Sequence, residues 1–520
     1  MTGCSLQDGQ AELPTPNSTH SYWHRNPSRK LLGHRTTAAL PPAADVVVIG
    51  SGITGTFAAR ELVAGGKSVV LLEAREACWG ATGRVSLASL PLFCCTCFEP
   101  NRPHVRAERA SQQMYPQCHV AAIWFPSQNG GHCQPGVWDS TPEVARFELA
   151  TFDLLQELVA AYSIPCDWQV VGGVHAIFSH DVVRAAQEQI KRLQQYPDLR
   201  DKAVLIQDRG ELTARRVPEA IAAIYQPDAA KCWPYKLVVW LLERLLVDYD
   251  ASMFNLQTNT PVHHFQRYGS SWAVHTPRGE IHARDVLLAT NGYTSHLLPK
   301  MTGLIIPVRG QVCALEPPGE AAQLPHSYVW LKGADHQYLI QRGPEDAQVG
   351  EEVMDRSLIF GGERLAVANG EEGISRDDEL NPTLSRALHR GLNHVVKLLY
   401  SDGPDGEELH AAHEWTGIMG YSRDSSPWVG RVPSTLMSDL GAESDNGGLW
   451  ISAGYTGHGM PVAARCGIAV AEMMLGKEGG VQPPKQWVAS QARAAEARTA
   501  ELPKKVEEIL MSMPDGRGAA

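Results

Sequence analysis

The sequence predicts an α/β fold, and three observations predict it. A glycine-rich turn lies between a strand pattern and a helix pattern near residue 50, an acidic residue closes the next apolar run, and a second glycine-rich turn opens a helix near residue 460. Taken in order, Asp45 to Ile49 is a continuous apolar, β-branched run, as expected of a strand buried on both faces. It runs into Gly50-Ser51-Gly52-Ile53-Thr54-Gly55, an intact G-x-G-x-x-G. A helical pattern follows, with Phe57, Ala58, Leu62 and Val63 on one face, and stops at Gly65-Gly66. The second apolar run, Ser68 to Leu72, ends in Glu73.

Each part has a role in a Rossmann-type dinucleotide-binding unit. Gly50 makes the tight turn, Gly52 lets the backbone approach a pyrophosphate, and Gly55 lets helix and strand pack closely. The helix N-terminus, at Ile53 and Thr54, offers N–H groups and a partial positive charge to the phosphates. Glu73 is spaced to accept hydrogen bonds from ribose hydroxyls. A lone G-x-G-x-x-G is weak evidence, but the whole strand–turn–helix–strand–acid context is strong.

The bulk composition excludes several classes. At 520 residues the chain is too long for one compact core, so two domains, or one with a large excursion, are expected. A net charge of -11 argues against nucleic acid or an anionic membrane as partner. No run approaches the roughly 20 apolar residues of a membrane span. Neither a secretory pattern at the N-terminus nor a peroxisomal "SKL" at the C-terminus is present, so a reducing, cytoplasmic setting is expected. Eleven cysteines, an odd number, argue against a disulfide framework. Cys94, Cys95, Cys97 and Cys118, with His104 and His119, match no common zinc spacing, and no metal is expected.

Several longer stretches carry a family resemblance. "EAREACWGATGR" (73–84) joined to "NGGHCQPGVW" (129–138) resembles the second cofactor-binding segment of the D-amino-acid-oxidase superfamily of FAD-dependent oxidoreductases, in the glycine/sarcosine oxidase type. "VLLATNGYTSHLLP" (286–299), "IIPVRGQV" (305–312), "EWTGIMGYSRDSSPWVG" (414–430) and "GLWISAGYTGHGMPVAARCGIAVAEMM" (448–474) resemble further family segments. With the "SYW" at Ser21 to Trp23, the γ-glutamylputrescine oxidase-like branch is the most similar.

The resemblance implies a Rossmann-type FAD-binding domain with an interleaved α+β substrate domain built on an antiparallel sheet. It implies cofactor contacts from Glu73, Ala74, Ala81, Thr82, Arg84, Asn129, Gly130, Gly131, Val262 (at the adenine) and Thr290. In the closing motif, Gly454, Thr456, Gly457, His458, Gly459 and Met460 precede a helix expected to start at Pro461. That helix end is expected to serve the N1–C2=O edge of reduced flavin, a second site of negative charge besides the pyrophosphate. The expected division is an N-terminal arm (1–42), a cofactor domain (43–84, 129–165, 250–305 and 410–480), a substrate domain (166–249 and 306–409) and a C-terminal extension (481–520). The arm is expected to be ordered by docking, and the charged helix pattern within 483–515 is expected on a solvated surface. Thr141 reads as the N-cap of a helix over 141–162, with further helices at about 180–195 and 235–248.

Residues 85–128 interrupt this pattern. They show no helical or strand period, and their removal closes "GATGR" onto "NGG". Val85-Ser86 can be encoded as GTAAGT and Gln128 as CAG, the ends of an intron, and whole codons preserve frame. A translated intron is the hypothesis; a lineage-specific loop is the alternative. A mature transcript that retains these codons as its dominant form would refute the first.

The family chemistry oxidises the carbon–nitrogen bond of an amine or amino acid by hydride transfer to flavin N5. The imine is hydrolysed, and O2 is reduced to hydrogen peroxide. The flavin does the hard step, so no obligatory acid–base residue follows. His132, Tyr338 and Arg342 are the candidates for the substrate side: His132 facing the flavin, Tyr338 walling the pocket, Arg342 pairing with a substrate carboxylate. A structural role is the alternative for each, and the expected one for Arg309. Where the sarcosine-oxidase branch has its flavin-linking cysteine this chain has Gly417, so non-covalent FAD is expected. Its oxygen-activating lysine aligns with Ile359, which leaves a dehydrogenase as the alternative.

Overall fold

The strand Ala43–Ile49 is the centre of an eight-stranded sheet. In the computed structural model, which describes residues 6–84, 132–133, 140–319, 321–332, 335–343, 355–394, 396–398, 408–437 and 447–499, this strand is paired in parallel on both sides. Val69–Leu72 and then Phe254–Gln257 follow on one side, and Gly279–Leu288 lies on the other. Val46, Val47, Val48 and Ile49 are all buried, which is why the run carries no polar alternation. Leu449–Ala453 extends the sheet in parallel from the C-terminal end of Gly279–Leu288, and Trp428–Arg431 pairs antiparallel beyond it.

The helix Ile53–Ala64 packs against the helix Ala463–Leu475 at very close range. A Cβ at Gly467 would lie 2.4 Å from the Thr54 carbonyl oxygen, so the crossing depends on that glycine. The second helix starts at Ala463, not Pro461: Pro461 and Val462 complete a turn in which Ala463 N donates to Gly459 O at 2.6 Å.

A second eight-stranded sheet runs in the order 411–422, 305–315, 358–361, 335–341, 327–332, 173–177, 222–226, 204–206. It is antiparallel except where Gly173–Ile177 meets Ser327–Lys332. Ala411–Ser422, grouped by the sequence with the cofactor segments, pairs along its length with Ile305–Leu315 in this sheet. Its far end reaches the first layer through the bridge between Tyr421 and Tyr455.

The helix Pro142–Tyr162 begins where expected, with the Thr141 hydroxyl accepting from Val144 N. His180–Leu193 and Pro234–Asp248 are the other two expected helices. The N-terminal segment is docked: Ala11, Tyr22, Trp23 and Leu31 are buried, and Trp233 Nε1 donates to Trp23 O at 2.8 Å. The C-terminal helix, Gln491–Thr499, lies on the surface as expected, but its inner face, Arg493, Ala494 and Ala497, is buried. Arg493 is 8% exposed and donates to both oxygens of Asp424 and to the carbonyls of Ser426, Pro427 and Trp487. A charged residue with that many acceptors is buried without penalty from unmet hydrogen bonds. No described helix is long and apolar enough to cross a membrane.

Candidate functional site

A cavity of about 1070 Å³, its open mouth included, lies at the C-terminal ends of Ala43–Ile49 and Val69–Leu72. Ligands of open parallel sheets bind at that end. The glycine turn forms its floor. Gly50 has φ 108°, and a Cβ there would lie 2.6 Å from the Ala289 carbonyl oxygen. A Cβ at Gly55 would lie 1.9 Å from the Gly50 carbonyl oxygen, so the helix can follow the strand this closely only with glycine. Gly52 faces the cavity as the N-cap of Ile53–Ala64, and no side chain caps that helix end through it. Thr82 instead accepts from Ile53 N at 3.1 Å.

Glu73 stands at the next strand end with 8% exposure. One carboxylate oxygen accepts from Ser51 N at 3.0 Å and from the Ser51 hydroxyl at 2.7 Å, and the other accepts from Arg75 N at 3.1 Å. The Ser51 hydroxyl also accepts from Cys78 N at 2.9 Å, so the acid is fixed by the turn it faces.

The second glycine turn lines the same cavity. Gly454, Thr456 and Gly457 all adopt positive φ, and Gly457 and Gly459 line the cavity. Asn291 Oδ1 accepts from Gly454 N at 3.1 Å, and Gly420 O accepts from Thr456 N at 2.7 Å. The Tyr455 hydroxyl bonds Thr54 Oγ1 at 2.9 Å, which ties the two glycine turns together. Burial pushes the Tyr455 phenol well above its ordinary pKa, so it stays protonated.

Of the residues expected at the cofactor, Gly50, Gly52, Ile53, Thr54, Glu73, Ala74, Ala81, Thr82, Val262, Thr290, Gly457 and Gly459 line this one cavity. Gly55, Gly454, Thr456, His458 and Met460 stand behind the lining, where they set its shape. His458 Nε2 lies 2.9 Å from Glu148 Oε1. Arg84 is turned away: it is 1% exposed and donates to Thr416 O and Thr19 Oγ1, and burial lowers its pKa to about 10. Asn129, Gly130, Gly131 and the whole of 85–128, with its cysteines and histidines, lie outside the described residues.

Of the three substrate-side candidates, Tyr338 and Arg342 do not line this cavity, and His132 is described through its backbone alone. His132 pairs through its backbone with Lys231 in a short strand. Tyr338 is fully buried in the second sheet against Gly361, whose Cβ would lie 1.8 Å from the phenol oxygen. Arg342 is also fully buried, and its guanidinium already meets Asp167 Oδ2 at 2.8 Å. Ile359 is fully buried between Ala314 and Ile340.

Sequence reasoning missed Leu13, Pro14, Arg75, Asn291 and Tyr293, all of which line the cavity. Asn291 and Tyr293 lie in the "ATNGY" stretch and could have been found there, whereas Leu13 and Pro14 carry no local signal. Arg75 Nε and the Tyr293 hydroxyl have no hydrogen-bond partner among the described residues. Unmet donors in the wall of a large cavity, beside a carboxylate and a helix N-terminus, fit a ligand rich in acceptors, as FAD is.

The family model described as "DAO: FAD dependent oxidoreductase" matches residues 45–117 and 126–473. The "Probable oxidoreductase OrdL" of Haemophilus influenzae is 24% identical over 448 residues, covering 84% of both chains. The D-amino acid dehydrogenase of Paramagnetospirillum magneticum is 24% identical over 468 residues, covering 84% of this chain and 96% of its own. The crystal structure of glycine oxidase from Geobacillus kaustophilus superposes with a TM-score of 0.60 at 17% identity, covering 87% of this chain and 99% of its own, a likeness of fold.

Proposed function

The chain belongs to the FAD dependent oxidoreductase family, and from that premise we propose that it oxidises the carbon–nitrogen bond of an amine or amino acid with dioxygen as the final acceptor. The observation that carries this reading is one cavity lined by two glycine turns, each opening a helix, with Glu73 between strand and loop. Bound FAD would supply the two-electron acceptor, taking a hydride from the carbon that bears nitrogen and leaving an imine for water to hydrolyse. Every other contribution belongs to the protein.

Gly50, Gly52, Ile53 and Thr54 would hold the pyrophosphate at the positive end of Ile53–Ala64. Glu73 would accept from ribose hydroxyls, and Val262 would pack on the adenine. Gly457, Gly459 and the start of Ala463–Leu475 would stabilise charge at the flavin's N1–C2=O edge. Gly417 stands where the sarcosine-oxidase branch has its flavin-linking cysteine, so the FAD is held non-covalently in this reading; acid precipitation would release all of it. Cys78, Cys166, Cys232, Cys313 and Cys466 are buried and free, which suits a reducing, cytoplasmic setting. The first sheet and the closing motif would carry FAD and the second sheet the substrate, with Ala411–Ser422 shared between them.

Residues 85–128 enter this reading as a translated intron between Arg84 and Asn129. The test is a visible spectrum of the purified chain beside a form lacking 85–128, then anaerobic mixing with a panel of amines and amino acids. Yellow protein, bleached by an amine and recoloured by air with release of hydrogen peroxide, supports the oxidase. Bleaching that persists in air until a dye is added supports a dehydrogenase, the second reading, left open because Ile359 stands where the sarcosine-oxidase branch has its oxygen-activating lysine. Two colourless proteins would refute the cofactor assignment.

A further inference from the structure

Arg75 lines the cavity two residues after Glu73, and its guanidinium ends on a carboxylate with no exposure to solvent. That carboxylate is Asp377. It accepts from Arg75 Nη1 at 2.9 Å on both oxygens, from the Thr15 hydroxyl at 2.7 Å, and pairs with Arg84 Nε at 3.1 Å. The Asp377 carbonyl oxygen accepts from Thr19 N at 2.8 Å and from the Thr19 hydroxyl at 3.0 Å. Arg84 then donates back to Thr19 through Oγ1 and the carbonyl oxygen.

One buried acid therefore joins three stretches far apart in sequence: the loop after Glu73, the N-terminal segment and the residues before the helix Pro382–Arg390. The N-terminal segment is pinned again at its other end. Gln10 Nε2 donates to Ser295 O at 3.0 Å, and Ala11 N donates to the Ser295 hydroxyl at 2.9 Å. Between these anchors Leu13 and Pro14 are laid against the cavity, on the side where Tyr293, His296 and Leu297 line it. The anchor at Asp377 uses buried, charge-assisted bonds and the one at Ser295 neutral ones, while the stretch between them has no secondary structure of its own.

We propose that Asp377 is a positioning residue for the cofactor, fastening residues 10–19 as a strap across the cavity and fixing Arg75 in its wall. Seating of the strap and retention of FAD are then one coupled equilibrium, and the coupling is reciprocal: a strap that slows FAD release is itself held down by FAD. This rests on FAD occupying the cavity.

The experiment uses the full chain. FAD release on dilution is followed by flavin fluorescence, and cleavage within residues 6–20 by a non-specific protease is timed with and without FAD. The double variant Leu13→Ala, Thr15→Val is expected to release FAD at least tenfold faster, while its apoprotein still unfolds in a single cooperative transition. In the wild type, FAD is expected to slow cleavage of the strap by a similar factor, and Asp377→Asn to abolish that protection. FAD release unaltered by the double variant, or cleavage indifferent to FAD, would overturn the proposal. If Asp377→Asn does not fold, the double variant alone decides. A wild type without a flavin spectrum would instead count against the cofactor assignment.

Discussion

Glu148 Oε1 and His458 Nε2 meet at 2.9 Å although 310 positions separate them in sequence. Glu148 is 1% exposed on the helix Pro142–Tyr162, and His458 stands between two glycines that line the cavity. The pair holds the closing turn to a helix that does not itself touch the cavity.

Removing the acid should therefore loosen the turn. Glu148→Ala is expected to lose about 2–3 kcal/mol of stability, the range for a buried hydrogen bond to a charged group. Glu148→Gln keeps an acceptor oxygen and should lose about half as much. Urea midpoints of the three proteins check this.

Gly52 and Gly55 should fail in different ways. A Cβ at Gly52 meets a single hydroxyl, Thr82 Oγ1, at 3.1 Å, so Gly52→Ala should fold and bind FAD at least tenfold more weakly. A Cβ at Gly55 meets backbone at 1.9 Å, so Gly55→Ala should yield little soluble protein. Gly66→Ala has open space around it but φ +79°, and should lose about 1 kcal/mol and keep its flavin. Soluble yield and flavin content per protein separate the three.

His175 should make the fold acid-sensitive. Burial, helped by the nearby His458, lowers its pKa to about 3, against about 6.5 in the unfolded chain. Between those values the unfolded state binds the extra proton, so stability is full above about pH 6.5 and falls as the pH drops toward 3. The slope from this one group is up to about 1.4 kcal/mol per pH unit. His175→Gln should flatten the fall in urea midpoint between about pH 6 and pH 4. An unchanged slope would show that other buried histidines, such as His24, carry it.

Arg493 should secure the C-terminal helix. It stacks its guanidinium 4.0 Å over the Trp428 ring besides its bonds to Asp424 and three carbonyls. Arg493→Ala should destabilise by about 3 kcal/mol and expose the chain near residues 480–490 to proteolysis, read by mass spectrometry of the fragments.

The parts of the fold legible in the sequence are those whose partners are close by in the chain. The strand Ala43–Ile49, its turn, the helix Ile53–Ala64 and Glu73 are one local unit, and the Thr141 cap announces its helix within four residues. The pairing of Arg342 was not legible because its partner, Asp167, lies 175 positions away at φ 54°, and no pattern marks it. Arg493 misled because charge argues for solvent unless the acceptors are known, and they come from the turn around Asp424. The role of Asp377 was invisible for the same reason: one acid among three in a charged stretch, "SRDDEL", gives no hint of two arginines more than 290 positions earlier.

The strap has a consequence for the order in which the molecule is built. Its partners at Ser295, Asp377 and Thr416 lie 284, 362 and 397 positions downstream of Ala11, Thr15 and Thr19. During synthesis residues 10–19 leave the ribosome long before any surface exists to receive them. Contacts of such separation close loops of hundreds of residues, and that entropy favours their forming after the local strand–turn–helix unit. The roof over the cavity is thus among the last pieces laid, and the nucleotide-binding unit stands open during assembly.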